Sequence, residues 1–182
     1  MTMPRDELQR RFIDLVEAHQ GIVHKVSALY AEQPDEREDL QQEILTQLWR
    51  SFRSFRGEAR FSTWMYRVAL NTALLARRHR RRRRRSRHDP LSAVAEEGVP
   101  VESATVAAAE SGPDVERLRR CIRKLREFDR AVILLYLEQH THEEIAELTG
   151  LSSGSVKVRI VRIKERLRQC LLSPNRERGQ VP

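Results

Sequence analysis

The side chains best suited to chemistry lie near the C-terminus, in the segment SGSVKVRIVRIKERLR. A buried helix face is predicted from four apolar residues spaced 4, 3 and 4 apart: Val156, Ile160, Ile163 and Leu167. The opposite face then presents hydroxyl, ammonium, guanidinium and small apolar groups. Such groups can donate to guanine edges, hold phosphate oxygens or touch a thymine methyl. The residues predicted to contact DNA from this face and its flanks are Ser155, Lys157, Val158, Arg159 and Arg162, with Arg159 reaching phosphates.

The segment before this helix predicts a short helix and a tight turn. Thr141 and Glu144 have the spacing of a capping box, and Gly150 ends the short helix where a left-handed residue costs least. Ser152 or Ser153 can then cap the final helix. A short helix, a glycine turn and a second helix with basic residues near its start together predict a helix-turn-helix that docks in the major groove of DNA.

A second basic feature is the run ARRHRRRRRRSRH, from Ala76 to His88, which continues another apolar-periodic segment. The chain of 182 residues has 34 Lys and Arg against 26 Asp and Glu, a formal net charge of +8. This excess favours a polyanionic partner, either nucleic acid or an anionic surface. Successive arginines cover every side of a helix, so they suit phosphate contacts more than base recognition. A targeting signal and a solvated helix end are the alternatives.

Four helices are predicted in the N-terminal half from apolar residues at helical spacing. Gly21 separates the first two, and Pro34 opens the third, with Asp35 and Glu38 spaced as a capping box. A loop around Gly57 precedes the fourth. The residues of the third and fourth helices that are expected to face the core are Leu40, Ile44, Leu48, Phe61, Met65, Val68, Thr72 and Leu75.

The composition changes between Ser86 and Pro113, where Pro, Gly, Ala, Ser and acidic residues predominate without aromatics. This composition predicts a flexible linker. Helices resume at Asp114, and Asp129 is the expected cap of a later helix. The predicted fold is therefore all-α, with two small helical domains, the second a helix-turn-helix. The expected boundaries are 1–85 and 114–173 for the domains, 86–113 for the linker and 174–182 for a disordered tail.

Other classes of function lack their motifs in this sequence. There is no phosphate loop, nucleophile–base pair or paired-carboxylate constellation, so no catalytic residue is assigned and an enzyme is not expected. No apolar run approaches the roughly 20 residues of a membrane-spanning helix, and no signal-sequence core follows the polar start. A cytoplasmic protein without membrane insertion is expected. Cys121 and Cys170 lack ligand spacing and are expected to be reduced, buried apolar residues. No metal or other cofactor is predicted, because His140 and His142 lack further ligands.

Three blocks of the sequence resemble the extracytoplasmic-function sigma factors of bacterial RNA polymerase. EREDLQQEILTQLW is similar to a helix of the first sigma domain, and FRGEARFSTWMYRVALNTALLARRHRRR is similar to the loop and helix that open the −10 promoter element. LREFDRAVILLYLEQHTHEEIAELTGLSSGSVKVRIVRIKERLR resembles the domain that binds the −35 element. The resemblance implies a promoter-specificity subunit that binds core polymerase, recognises both elements and initiates transcription by opening DNA.

The resemblance also implies functional residues, position by position. Core polymerase, through its clamp coiled coil and flap, would be bound with a docking site at Asp39, Leu40, Gln42 and Glu43. The −10 DNA would be contacted by Arg53, Arg56, Arg60, Trp64, Asn71 and Arg78, and the loop from Ser54 to Arg60 would hold a flipped base. The −35 DNA would be contacted by the residues of the final helix named above. An anti-sigma factor is a further implied partner.

Two positions depart from the family pattern, and other interpretations remain open. Leu75 stands where an Asp is common, and Val158 stands where a small hydroxyl residue is common, so a polar contact is in question at each. Trp64 is either a stacking platform for DNA or a core residue. The main alternative function is a stand-alone helix-turn-helix transcriptional regulator. An RNA-binding or membrane-surface protein is a weaker alternative, since it leaves the helix-turn-helix unused.

Overall fold

Helices account for all the regular structure in the residues that the computed structural model describes, which are 4–87 and 112–173, with the backbone alone described over 81–87. The predicted all-α class is therefore confirmed. The chain divides into two compact units, 1–104 and 105–182. Most of the predicted linker, 86–113, and all of the predicted tail, 174–182, lie outside the described residues.

The first unit contains four described helices: α1 (Arg5–Ala18), α2 (Gln20–Tyr30), α3 (Pro34–Phe52) and α4 (Phe61–Arg87). The break between α1 and α2 falls at His19, two positions before the glycine suggested by the sequence. The His19 ring nitrogen Nδ1 lies 2.9 Å from the carbonyl oxygen of Leu15, so this ring nitrogen has a hydrogen-bond partner at the end of α1. His19 also packs edge-on against Phe61, with ring centroids 5.4 Å apart.

α3 begins as the proline predicts but without the capping box. Pro34 occupies the first turn, where its missing N–H costs nothing, and Gln33 is the N-cap with no side-chain cap bond. The predicted box between Asp35 and Glu38 is therefore wrong, because Pro34 moves the helix start ahead of Asp35. The predicted core stripe is confirmed, with exposures of 1% or less at Leu40, Ile44 and Leu48.

α4 packs against α2 and α3 through Met65, Ala69 and Ala73, each with 0% exposure. Thr72 is also buried, and its hydroxyl donates to the carbonyl of Val68 at 2.8 Å. Leu75, by contrast, is 52% exposed, so its predicted core position is wrong. Two residues correspond to roughly 200° around a helix, so Leu75 points away from the face that Ala73 buries.

The second unit contains α5 (Pro113–Arg123), α6 (Glu127–Leu137), α7 (His142–Thr149) and α8 (Ser153–Leu172). The predicted capping box of α7 is confirmed. Thr141 Oγ1 accepts from the Glu144 amide at 3.1 Å, and Glu144 Oε2 accepts from the Thr141 amide at 2.9 Å. Gly150 ends α7 with a φ of 73°, and the Ser152 hydroxyl caps α8 by accepting from the Ser155 amide at 3.2 Å. The predicted helix, turn and helix are thus present.

Two expectations about this unit are wrong, one about the cap of α6 and one about the cysteines. The N-cap of α6 is Arg126, while Asp129 lies inside the helix and is 3% exposed. Cys121 of α5 and Cys170 of α8 are joined as a disulfide, with Cα atoms 5.9 Å apart, and are not reduced. A sequence separation of 49 residues conceals this proximity, which arises because α5 packs along α8.

Candidate nucleic-acid interface

α8 has two sharply different faces. The predicted apolar stripe of Val156, Ile160, Ile163 and Leu167 is buried, with no member more than 7% exposed. The predicted DNA-contacting residues Ser155, Lys157, Val158 and Arg162 are all exposed. Val158 is 52% exposed, and Val161 beside it is 67% exposed. Two apolar side chains therefore lie in water between cationic ones, on the face opposite the stripe.

Arg159 is the exception among these predicted contacts, because the fold already engages it. Its Nη1 donates to Asp129 Oδ1 at 2.6 Å, and Arg166 Nη1 donates to Asp129 Oδ2 at 3.1 Å. The Arg159 guanidinium also lies 5.1 Å from the centroid of the Phe128 ring. Asp129 therefore holds α8 against α6 with both carboxylate oxygens. No local pattern in the sequence indicates this role.

α7 and α8 are joined by a further contact across the turn. Glu143 Oε1 on α7 accepts a 3.0 Å hydrogen bond from the Ser153 hydroxyl at the start of α8. The pKa of the Glu143 carboxyl is lowered from its ordinary value, chiefly by a hydrogen bond from its own backbone amide and next by the Ser153 hydroxyl. The positive charge of Lys157 adds a smaller lowering of the same pKa. Glu143 and Ser153 thus join α7 to α8 across the turn.

In the first unit, the loop over residues 53–60 is anchored by one aromatic side chain. Phe55 is half-buried, and its ring centroid lies 5.0 Å from that of Trp64 and 5.6 Å from that of Phe61. Gly57 adopts a φ of 75°, a backbone conformation that favours glycine. The predicted DNA contacts of this loop, Arg53, Arg56 and Arg60, are all exposed.

A groove runs between α1 and this loop, with a volume of about 760 Å³. Its floor includes the aromatic rings of Phe55 and Phe61, and its rim is charged. Aromatic surfaces beside guanidinium groups suit an unstacked base and its phosphate. The sequence did not single out Arg10 and Arg11, because the charges of α1 have no motif around them. The charged rim of the groove consists of Glu7, Arg10, Arg11 and Asp14.

Trp64 belongs to the aromatic cluster around Phe52. Its ring centroid lies 6.2 Å from that of Phe52 and 5.3 Å from that of Phe61, and the side chain is half-buried. These contacts favour packing as its main role, while one part of the ring remains accessible.

Three predicted −10 contacts share one side of α4. Trp64, Asn71 and Arg78 are seven residues apart, which is nearly two helical turns, so they follow one line of about 21 Å along the helix. Asn71 and Arg78 are exposed, and the exposed Leu75 lies between them. Arg80 is directed elsewhere, since its guanidinium pairs with Glu36 of α3 at 3.1 Å.

The predicted polymerase-docking residues of α3 do not all have the same exposure. Asp39, Gln42 and Glu43 are exposed. Leu40 is 1% exposed and lies in the core, so its side chain is not available for contact in this structure. The neighbouring Gln41 is turned inward, where its amide donates to the Ser27 hydroxyl at 3.2 Å.

Each of the two units matches the model of a known protein family. Residues 15–85 match the family model of Sigma-70 region 2, and residues 115–167 match that of Sigma-70 region 4. The ECF RNA polymerase sigma-E factor of Escherichia coli K12 is 34% identical to this chain over 169 residues, which cover 86% of the chain and 84% of that protein. The chain belongs to the ECF sigma factor family.

Further relatives agree with this assignment. The ECF sigma-E factor of Haemophilus influenzae is 29% identical over 167 residues, covering 86% of this sigma factor and 85% of its relative. The RpoE sigma factor of Bartonella quintana, solved in complex with the anti-sigma factor NepR, has a similar fold, with a TM-score of 0.68 at 20% identity over 91% of this chain and 96% of that one. CnrH, solved with the cytosolic domain of CnrY, gives a TM-score of 0.62 at 22% identity over 90% and 88% of the two chains.

The predicted function is therefore confirmed at the level of the family. This sigma factor is a promoter-specificity subunit that binds core RNA polymerase and promoter DNA, and the alternative of a stand-alone regulator is not favoured. Within the described ranges, no helix has the length and apolar character needed to cross a membrane. The same residues contain no cluster of three or more His, Cys, Asp or Glu side chains suited to a metal ion.

Proposed function

We propose that the two domains of this sigma factor divide promoter recognition between them. Residues 1–85 dock on core polymerase and open the −10 element, residues 114–173 bind the −35 element, and residues 86–113 and 174–182 act as spacer and tail. The single observation that carries this proposal is the contrast between the faces of α8 and α4. Each helix buries an apolar stripe and leaves exposed residues that suit contact with DNA.

The −35 contact is assigned to the first turns of α8. Lys157 and Arg162 can donate to guanine edges in the major groove, where a bidentate pair discriminates between bases. The exposed methyl groups of Val158 replace the missing hydroxyl with a contact that suits thymine. Asp129 holds the Arg159 guanidinium in place, so Arg159 helps to orient α8. From this position it contributes positive charge for a DNA phosphate.

The −10 contact is assigned to the exposed line of α4 and to the adjoining loop. The Asn71 amide can both donate to and accept from an unpaired base edge. Leu75 adds an apolar surface beside it in place of the carboxylate common in the family. The groove over Phe55 and Phe61 has the size and aromatic floor for a flipped base, and Arg56 and Arg60 lie on the same loop for its phosphates.

The polymerase contact is assigned to the exposed carboxylates and amide of α3. Asp39, Gln42 and Glu43 lie on the side that the domain core leaves in water. Leu40 supports this surface from beneath, because its burial fixes the orientation of the helix. The surface thus consists of hydrogen-bonding groups held by a rigid apolar stripe.

The proposal has three further parts, which concern bond chemistry, cellular location and inhibition. This sigma factor performs no bond chemistry of its own, since polymerase supplies the catalytic centre. It acts in the cytoplasm, where its polymerase and promoters are. An anti-sigma factor is its proposed inhibitor, by analogy with the NepR and CnrY complexes of its structural neighbours.

Transcription with purified core polymerase tests the proposal directly. A run-off assay over a genomic promoter library should yield start sites that share one −35 and one −10 sequence. Asp39→Ala with Glu43→Ala should weaken binding to core polymerase without unfolding the domain, because exposed substitutions cost little stability. The matched control is Glu17→Ala with Glu32→Ala, which removes two exposed carboxylates outside this surface. Equal affinity for core polymerase in both double variants would remove the assignment.

A further inference from the structure

Cys121 of α5 and Cys170 of α8 are bonded through their sulfur atoms, and their Cα atoms are 5.9 Å apart. This separation lies in the range where a disulfide closes without displacing the backbone. The full sequence contains two cysteines, so each is the only partner that the other has within the chain. We propose that this pair is a reversible redox-modification site, oxidised by hydrogen peroxide and reduced by a dithiol, which fastens the recognition helix α8 to α5.

The two sulfur positions differ in access, and this difference assigns their roles. Cys121 is 5% exposed, whereas Cys170 is partly open to solvent near the end of α8. The thiol that solvent reaches is the one that meets peroxide first, and its thiolate is the form that attacks. Cys170 is therefore the attacking sulfur and Cys121 the resolving one.

The chemistry balances in two steps. The Cys170 thiolate attacks one oxygen of hydrogen peroxide, which breaks the O–O bond and gives a sulfenic acid and hydroxide. The Cys121 thiol then displaces the sulfenic oxygen as water, so two thiols are oxidised to a disulfide while one peroxide is reduced to two waters. A dithiol reverses the reaction by exchange through a mixed disulfide and becomes oxidised itself.

The position of the bond determines what oxidation does to the domain. The bond closes a loop with a sequence separation of 49 residues, which contains the whole of α6 and α7 and most of α8. Closing a long loop restricts the unfolded chain strongly, so oxidation stabilises the helix-turn-helix. The cross-link lies at the opposite end of α8 from Ser155 and Lys157. Oxidation therefore leaves the proposed DNA-contacting residues uncovered and makes the domain that carries them harder to unfold.

Counting thiols on the full chain tests the modification itself, independently of any role in transcription. The chain is reduced with dithiothreitol, freed of reductant and exposed to hydrogen peroxide under native conditions. It is then denatured in the presence of a mass-tagged maleimide, which labels each free thiol. Two tags are expected before peroxide, none afterwards at the mass of a monomer, and two again after renewed reduction. Cys170→Ala should carry one tag throughout. Two tags after peroxide, a cross-linked dimer, or no tags in excess dithiothreitol would each overturn the proposal.

A second measurement tests the stabilising effect, and its DNA part depends on the proposed −35 function. Oxidation should raise the unfolding temperature of the second domain by about 10 °C or more in the wild-type chain, and by nothing in Cys121→Ala or Cys170→Ala. Holoenzyme assembled from untreated core polymerase and pre-oxidised chain should keep −35-dependent binding to a correspondingly higher temperature. Equal unfolding temperatures in the two redox states would overturn the stabilising role. If binding never depends on the −35 element, the proposed function fails, while the thiol counts and unfolding temperatures still decide the redox site.

Discussion

Arg159 of α8 donates a 2.6 Å hydrogen bond to Asp129, a carboxylate inside α6 whose side chain is 5% exposed. The second oxygen of the same carboxylate accepts from Arg166 at 3.1 Å. One buried acid thus connects the recognition helix to the helix that precedes the helix-turn-helix. Substitution of Arg159 should therefore change two properties together, the stability of the domain and its proposed contact with DNA.

Asp129→Asn should lower the free energy of unfolding by about 1–3 kcal/mol, because a hydrogen bond to a charged group is of that size. The two arginines are 40% and 54% exposed, so water solvates them when the carboxylate is lost, which limits the cost. Chemical denaturation of the full chain measures the change. Asp114→Asn, at an exposed position of α5, is the control and should have little effect. An unchanged unfolding free energy in Asp129→Asn would show that the carboxylate does not hold α8.

Lys157→Ala and Arg162→Ala should each lose discrimination at particular −35 base pairs, by about 1–3 kcal/mol for a good bidentate contact. Stability should not change, because both side chains are exposed. Competition binding by the holoenzyme over single-base variants of the −35 element measures the effect.

The contrasting variants make this test specific. Arg159→Ala should weaken binding to all promoters and also lower stability, since it loses the bond to Asp129. Arg168→Ala removes an exposed cation paired with Glu165, further along α8, and serves as the control. A uniform loss over all base variants in Lys157→Ala would mean that this residue holds phosphate only.

The arginine run should govern the salt dependence of promoter binding. α4 remains helical through Arg87, so the run continues the helix that carries Asn71, although its side chains over 81–87 lie outside the described residues. Each phosphate neutralised adds about 0.9 to the slope of log affinity against log salt concentration. Replacing the arginines at 81–85 with Gln should flatten that slope and leave the ranking of promoters unaltered. An unaltered slope would identify the run as a tether.

The acid stability of the second domain should depend on Glu143. Its pKa is lowered in the folded chain, first by its own backbone amide and then by the Ser153 hydroxyl. A lowered folded pKa contributes stability above the ordinary carboxyl pKa, and this contribution is lost as pH falls through the lowered value. Ser153→Ala should move the Glu143 pKa back towards its ordinary value, as measured by an NMR titration of the side chain. Asp114→Asn is the control, and an unmoved Glu143 pKa in Ser153→Ala would contradict the cause assigned to it.

Local features of the sequence predicted most of this fold. The capping box of Thr141 and Glu144, the left-handed Gly150 and the 4, 3, 4 stripe of α8 each depend on neighbours within a few residues. Features that depend on contacts between distant elements were missed. The pairing of Asp129 with Arg159 spans 30 residues, and the bond between the two cysteines spans 49.

The candidate sites show the same limit. The exposed residues of α8 follow from helical periodicity, since the buried stripe leaves one face for them. The groove beside Phe55 exists because α1 lies close to the loop, and no pattern in the sequence of α1 predicts this proximity. Leu75 was assigned to the core because it is apolar and three residues beyond Thr72, yet the rotation of α4 places it in water.

In the loop at residues 53–60, the residues that pack against the domain are different from the charged residues that face solvent. Phe55 attaches the loop to the domain by packing against Phe61, which lies just beyond the loop, and Gly57 forms the turn. The intervening charged side chains are exposed and carry none of that packing. Mutations at these charged positions should therefore change the proposed contacts with DNA at little thermodynamic cost to the fold. The charge of this short stretch can therefore vary while the packing that holds the loop stays the same.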